Sequence, residues 1–186
     1  GELASRLRAA GFRQGAAFEY DFFRGRPERD PELRKRFMRE PEGERRGGPQ
    51  GDPALIEQAL KLIEGARKPV VLSGSGVLWS DAVDELRKWV IDTGMPIYTT
   101  PQGRGVLPED HPHAFLNARS SALKEADLLL IVGTRLNYVF GHLAPPRVSK
   151  TAKVIRIDID PAETGAGSRV DVGIIGDAKA VLQQML

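Results

Sequence analysis

The sequence contains no cysteine, few aromatic residues and no long apolar run. Without cysteine the chain has no disulfide, no thiolate metal ligand and no cysteine nucleophile, which is usual for proteins of a reducing compartment. No run approaches the ~20 apolar residues that a transmembrane helix needs, and the first residues carry no signal-peptide core. We therefore expect a cytoplasmic protein with no membrane partner.

Charge is nearly balanced, with 27 basic and 25 acidic side chains among 186 residues. The slight basic excess lies in residues 1–50, which hold 12 basic and 9 acidic side chains interrupted by prolines and glycines. Mixed charge of this kind is typical of a linker or wrapping segment, and it lacks the one-sign stripe of a nucleic-acid-binding surface. We predict a linker-like segment over residues 1–50, a regular domain over residues 51–186 and no nucleic-acid partner.

From residue 51 onward, helical patterns alternate with apolar runs. Asp52 and Pro53 are typical of a helix start, and Gly65 of its end. Further helices are expected from Ser80 or Asp81 to Gly94, around residues 120–126 and after Asp177, which can cap the last one. Continuous apolar runs predict buried strands at residues 70–72, 96–100, 128–132, 154–159 and 172–175. Helices between such strands require a parallel sheet, so we predict an α/β fold with a doubly wound, mostly parallel Rossmann-like sheet of five or six strands.

The loop after the first strand resembles half of a dinucleotide-binding motif. Ligands of open parallel sheets bind beyond the carboxyl ends of the strands, where strand order reverses. Gly74 and Gly76 allow the backbone around Ser75 to approach an anion, although a tight turn alone also explains them. Trp79 replaces the third glycine of the motif, and the second strand ends at Thr100 without an acidic ribose ligand. These departures count against a standard NAD site.

Two later strand ends carry charged residues. Arg135 follows the strongest strand and has donors suited to a phosphate or a nucleotide edge, or it ties its loop to a local carboxylate. Asp158 suits a ribose hydroxyl or an adenine contact. Asp160, just before Pro161, is typical of a turn or cap residue, and alternation along a strand separates it from Asp158.

The sequence offers no catalytic constellation. His111 and His113 flank Pro112 and His142 is distant, so they do not supply the three or four ligands of a metal site. Ser73-Gly74-Ser75-Gly76 is not a G-x-S-x-G nucleophile motif. We expect neither catalytic nor metal-binding residues in this chain.

Residues 52–186 resemble the central domain of thiamine diphosphate (TPP)-dependent enzymes of the acetolactate synthase, oxalyl-CoA decarboxylase and 2-hydroxyacyl-CoA lyase group. The resemblance rests on ordered blocks at residues 68–76 (KPVVLSGSG), 94–97 (GMPI), 103–108 (GRGVLP) with His111-Pro112, 126–136 (ADLLLIVGTRL) and 155–161 (IRIDIDP). Each block is weak alone, and their order and spacing make the match specific.

The resemblance implies a six-stranded sheet between a pyrimidine-binding and a pyrophosphate-binding domain, in an enzyme that forms a homo-oligomer. It also implies a site for FAD, or for ADP or the nucleotide part of CoA. By position, the residues facing that ligand would be Gly74, Ser75, Gly76, Arg135, Asp158, Ile159, Gly176 and Asp177.

The same resemblance separates this domain from the catalytic centre of the family. The family's cofactor-activating glutamate belongs to its first domain, and its Gly-Asp-Gly motif with a later asparagine belongs to its last. Here Gly176-Asp177 is followed by Ala178, and the only asparagines are Asn117 and Asn137. We expect thiamine diphosphate and Mg²⁺ in the parent lyase, decarboxylase or synthase, with this chain alone inactive. A free-standing nucleotide-binding module without enzyme activity is the alternative.

Overall fold

The computed structural model describes residues 48–115, 119–136, 142–164 and 169–186. Apart from its last three residues, the predicted linker-like segment 1–50 lies outside the described residues, as do Asn117 and Asn137. The described elements are α1 (Pro53–Gly65), β1 (Pro69–Ser73), α2 (Ser75–Trp79), α3 (Val83–Thr93), β2 (Ile97–Thr99), a 3₁₀ turn (Pro101–Gly103), α4 (Arg119–Glu125), β3 (Leu128–Val132), β4 (Lys153–Asp158), α5 (Pro161–Thr164), β5 (Val172–Ile175) and α6 (Ala178–Met185).

The five described strands form one parallel sheet in the order β2-β1-β3-β4-β5. The central strand β3 pairs along its full length with β1 on one side and β4 on the other. Strand order reverses between β1 and β3, because the chain moves outward to β2 before it returns to the middle of the sheet. The predicted α/β fold with a parallel five- or six-stranded sheet is confirmed, with five strands in the described part.

Both faces of the sheet are covered, which makes the fold doubly wound. Leu128, Leu130 and Val132 of β3 pack into a core layer that includes residues of α1, α3 and α6. Leu129 and Ile131 point to the opposite layer, together with residues of α4 and of the segment 142–152. Alternate side chains of one strand therefore enter two different cores, which explains why the strand sequences are continuously apolar.

The predicted start of α1 and the predicted end of α3 are found in the structure, and both carry a typical capping residue. Asp52 accepts a hydrogen bond from the amide of Ala54 at 2.8 Å, and Pro53 is the first residue of α1. Gly94 ends α3 with φ +68°, a conformation that favours glycine. No helix in the described part of the chain is long and apolar enough to cross a membrane.

The start of α3 differs from the sequence prediction. Instead of one helix from Ser80 or Asp81, a short helix α2 ends at Trp79 and α3 begins at Val83. The Ser80 hydroxyl donates to the carbonyl of Gly76 at 2.8 Å, and Asp81 has φ +56°, outside the right-handed helical region. The chain therefore turns sharply between two helices.

Candidate functional site

The carboxyl ends of the strands open into one groove of about 730 Å³. Its walls come from the segments that follow all five strands. The lining residues are Ser75, Gly76, Trp79, Ser80, Thr100, Pro101, Gln102, Gly133, Thr134, Arg135, Ile157, Asp158, Ile159, Gly176, Asp177 and Ala178. The groove thus includes the crevice between β1 and β3 where strand order reverses, the usual ligand position in open α/β sheets.

The groove brings together most of the residues that the sequence singled out. Seven of the eight predicted ligand-facing residues line it: Ser75, Gly76, Arg135, Asp158, Ile159, Gly176 and Asp177. Gly74, the remaining one, is not among the described lining residues. Residues separated by about 100 positions in the chain therefore share one concave surface.

Close packing of two loops explains the glycines after β1. A Cβ atom on Gly74 would lie 2.3 Å from the carbonyl oxygen of Gly133, and one on Gly76 would lie 2.6 Å from the Cα of Gly133. Gly133 itself has φ +58°. The loop after β1 and the loop after β3 can approach this closely only without side chains, so these glycines have a structural role independent of any ligand.

Arg135 lies at the groove with an exposed side chain, 81% accessible. Its Nε atom is 3.8 Å from Oε1 of Glu163, a loose ion pair beyond hydrogen-bond distance. Both sequence interpretations of Arg135 therefore have a structural counterpart, since the arginine has a local carboxylate nearby and its guanidinium is accessible from the groove.

Asp158 provides a fixed acceptor at the end of β4. Its Oδ1 accepts a hydrogen bond from the amide of Asp160 at 3.1 Å, and its Oδ2 lies 3.5 Å from Nη2 of Arg156. Asp160 accepts from the amide of Ala162 at 2.9 Å at the start of α5. The cap interpretation of Asp160 is confirmed, and Asp158 is the carboxylate of this pair that lines the groove.

Arg156 was not predicted as a site residue from the sequence. Its side chain is only 1% accessible, inside a strand that is otherwise apolar between its ends. Nη2 donates to the carbonyl oxygen of Thr134 at 2.8 Å and to Oε2 of Glu163. A signal for it exists in the sequence, because a charged residue inside a buried strand is rare unless it is paired.

Asp177 combines a groove position with a capping role. Its Oδ1 accepts from the amides of Lys179 at 3.1 Å and Ala180 at 3.2 Å, which satisfies free donors at the start of α6. Among the described residues no group of three or more His, Cys, Asp and Glu side chains could hold a metal ion.

The groove also presents apolar surface. Trp79 is 76% exposed and Ile159 is 60% exposed, and both line the groove. A concave site that combines apolar surface with a few convergent polar groups is typical of small-molecule binding. An aromatic ring and an aliphatic side chain can pack against a planar heterocycle, whereas Arg135 and Asp158 can hydrogen-bond polar groups attached to it.

Comparison with known proteins identifies relatives over the same region. The family model for the thiamine pyrophosphate enzyme, central domain, matches residues 56–185. The 2-hydroxyacyl-CoA lyase 1 of Mus musculus is 38% identical over 135 residues, covering 73% of this chain and 23% of that protein. The acetolactate synthase large subunit of Corynebacterium glutamicum is 41% identical over 140 residues, covering 70% of this chain and 22% of that protein. The chain thus spans less than a quarter of the length of these relatives.

A solved structure has the same fold. The benzoylformate decarboxylase from Polynucleobacter necessarius superimposes with a TM-score of 0.63 at 19% sequence identity. The match covers 74% of this chain and 27% of that chain.

Proposed function

The chain belongs to the family of thiamine pyrophosphate enzyme central domains, and from this premise we propose that it holds an adenine nucleotide in the groove. It would do so as the middle domain of a larger enzyme related to acetolactate synthase and 2-hydroxyacyl-CoA lyase. In that enzyme the domain is a scaffold between a pyrimidine-binding and a pyrophosphate-binding domain. The parent enzyme would be a cytoplasmic homo-oligomer.

Thiamine diphosphate and Mg²⁺ belong to the flanking domains in this proposal. When bound there, thiamine diphosphate supplies the carbanion and electron sink for making or breaking a carbon–carbon bond next to a carbonyl. In this domain the Asp177 side chain is engaged in capping α6. We therefore expect the isolated chain to show no turnover of 2-oxo acids or 2-hydroxyacyl-CoA.

The observation that carries the nucleotide assignment is the convergence of four different groups in the groove. Asp158 is an anchored carboxylate acceptor for ribose hydroxyls, and Arg135 is an accessible donor for phosphate. Trp79 and Ile159 offer apolar surface to the adenine.

ADP, CoA and FAD share an adenosine diphosphate unit, and in this proposal the groove residues bind that shared unit. FAD has the same free ribose hydroxyls as ADP, so Asp158 and Arg135 do not distinguish these two ligands, whereas the ribose of CoA carries a 3′-phosphate in place of one hydroxyl that Asp158 could accept from. One relative acts on a CoA thioester according to its name. The proposal is therefore an ADP-moiety site, and ADP is the simplest probe.

Isothermal titration calorimetry of the full chain with ADP, CoA and FAD tests the site. We expect saturable binding that Arg135→Ala weakens about tenfold, because a charge-assisted hydrogen bond contributes roughly 1.5–3 kcal/mol. Arg67→Ala is the matched control. Arg67 is an exposed arginine just before β1, at the amino ends of the strands and therefore away from the groove. Its replacement should leave the affinity unchanged. Absence of binding heat with all three ligands would leave only the scaffold role.

A further inference from the structure

A buried arginine lies beneath the proposed nucleotide site. Arg156 occupies the middle of β4, where its neighbours Ile155 and Ile157 pack into the first core layer. Its own side chain points to the other face and is 1% accessible. A buried guanidinium is strongly destabilising unless hydrogen bonds and opposite charges compensate for its lost hydration. The polar contacts of Arg156 therefore indicate its role in the structure.

Two of the three described polar partners of the Arg156 side chain, Thr134 and Asp158, line the groove, and the third is Glu163 of α5. Nη2 donates to the carbonyl oxygen of Thr134 at 2.8 Å, which fixes the loop that carries Arg135. It also donates to Glu163 in α5, and it lies 3.5 Å from Oδ2 of Asp158. One nitrogen therefore joins the loop after β3, the end of β4 and the following helix.

We propose that Arg156 is a positioning residue of the nucleotide site, an inference that rests on the proposed function of the groove. Arg156 holds the Asp158 carboxylate in the orientation that accepts ribose hydroxyls, and it keeps the loop of Thr134 and Arg135 against the end of β4. Because the side chain is buried, it acts on the ligand only through these groups.

A second arginine provides a matched comparison. Arg169 also donates Nη2 to main-chain carbonyl oxygens, those of Lys150 and Ala152, the latter at 3.1 Å. These carbonyls precede β4, at the end of the sheet opposite the groove. Arg156 and Arg169 therefore share a chemical role in the backbone network, and only Arg156 touches groove segments.

Replacement by lysine tests the inference while the charge is kept. The lysine side chain is shorter than arginine and lacks its planar fork, so its ammonium does not reach the position from which Nη2 contacts Thr134, Glu163 and Asp158. In calorimetry with the full chain, Arg156→Lys should weaken ADP binding about tenfold, whereas Arg169→Lys should leave it unchanged. Unchanged affinity in Arg156→Lys, or an equal loss in both variants, overturns the proposal.

A double-mutant cycle separates positioning from general stability. If Arg156 acts through Asp158, Arg156→Lys should cost little further ADP affinity in an Asp158→Asn background. A merely structural arginine would give additive losses, because the two replacements would then act independently. Additive losses therefore count against the positioning role.

Amide hydrogen exchange makes the inference testable without any ligand. The amide of Asp160 donates to Asp158 Oδ1, so its exchange reports how firmly that carboxylate is held. Arg156→Lys should speed exchange at Asp160 and in residues 134–136, and Arg169→Lys should not. If the wild-type chain binds none of ADP, CoA and FAD, the proposed function fails, and exchange at Asp160 still decides whether Arg156 positions Asp158.

A milder variant covers the case in which Arg156→Lys does not fold. Glu163→Gln keeps Arg156 and removes the charge of one partner at nearly the same volume. We expect a smaller increase of exchange at Asp160 and in residues 134–136. Unchanged exchange at both places in Glu163→Gln overturns the proposal.

Discussion

At the scale of single residues, the sequence predicted those groove residues whose position follows from a strand end. Asp158 and Arg135 come directly at or after apolar strands, and the parallel sheet brings those ends to one edge. Arg156 could not be assigned from the sequence in the same way. Its role depends on Glu163, seven positions later in a four-residue helix, and on a carbonyl oxygen of another loop. These partners can be identified only in the folded structure, where β3 and β4 are paired.

The loop packing at Gly76 leads to a stability prediction. Gly76→Ala places a Cβ 2.6 Å from the Cα of Gly133. The backbone at Gly76 and the backbone at Gly133 cannot move apart without losing the contact between their two loops. We expect the free energy of unfolding to fall by about 2 kcal/mol, within the usual range for overpacking, as measured by urea denaturation.

Gly65 supplies the control for this substitution. A Cβ there meets nothing within 4 Å at the end of α1, so Gly65→Ala should leave stability unchanged or raise it by up to about 1 kcal/mol. A Gly76→Ala variant as stable as Gly65→Ala would contradict the close-packing explanation of the glycine.

At the scale of elements, the prediction was most accurate where apolar residues are continuous. The strand predicted at residues 128–132 has the same bounds in the structure. Its five consecutive apolar residues are all buried, as expected for a short strand that is covered on both faces. The start of α3 was predicted wrongly, since Ser80 and Asp81 have the composition of a cap. The positive φ of Asp81 and the Ser80 hydrogen bond to Gly76 end α2 instead, and local sequence preference does not reveal them.

Asp127 leads to a pH prediction for the sheet. Its carboxylate accepts from the amides of Arg67 at 2.8 Å and Lys68 at 2.9 Å, and so joins the start of β3 to the start of β1. Burial alone would raise the pKa of Asp127, but these hydrogen bonds and the charge of Arg67 lower it below its ordinary value. Since the lowered pKa belongs to the folded state, the stabilisation is present above the unfolded pKa of about 3.9 and is lost as pH falls through the folded pKa.

Comparison of the wild-type chain with Asp127→Asn measures this contribution. Urea denaturation above about pH 5 should show a loss of about 1 kcal/mol in the variant, and the difference should shrink as the pH is lowered below about 4. Asp110→Asn, a change at an exposed carboxylate in a loop, is the control and should leave the free energy of unfolding unchanged above about pH 5. A difference between wild type and Asp127→Asn that stays constant down to acidic pH would refute the assignment.

At the scale of the whole molecule, the topology explains why the groove exists at all. Sequential strands diverge on either side of the β1–β3 boundary, so the loops after them separate and leave a crevice. The periodicity of apolar residues predicted the strands of the sheet and the helices that cover it.

This periodicity did not predict how the residues before α1 are attached to the domain, because that contact joins residues far apart in the sequence. The buried Gly51 lies against Ile174 of β5, and its main chain meets the side chain of Gln184.

The contact between Gly51 and Gln184 leads to a final prediction. The Gly51 amide donates to Gln184 Oε1 at 2.8 Å, and Gln184 Nε2 donates to the Gly51 carbonyl at 3.2 Å. Gln184→Ala removes both partners from a buried main-chain unit, so we expect the free energy of unfolding to fall by about 1–3 kcal/mol and proteolysis near residues 48–52 to become faster. Gln183→Ala, which removes only an exposed hydrogen bond of 2.8 Å to Glu85, should cost clearly less. Equal losses in the two variants would mean that attachment of residues 48–52 does not depend on this glutamine.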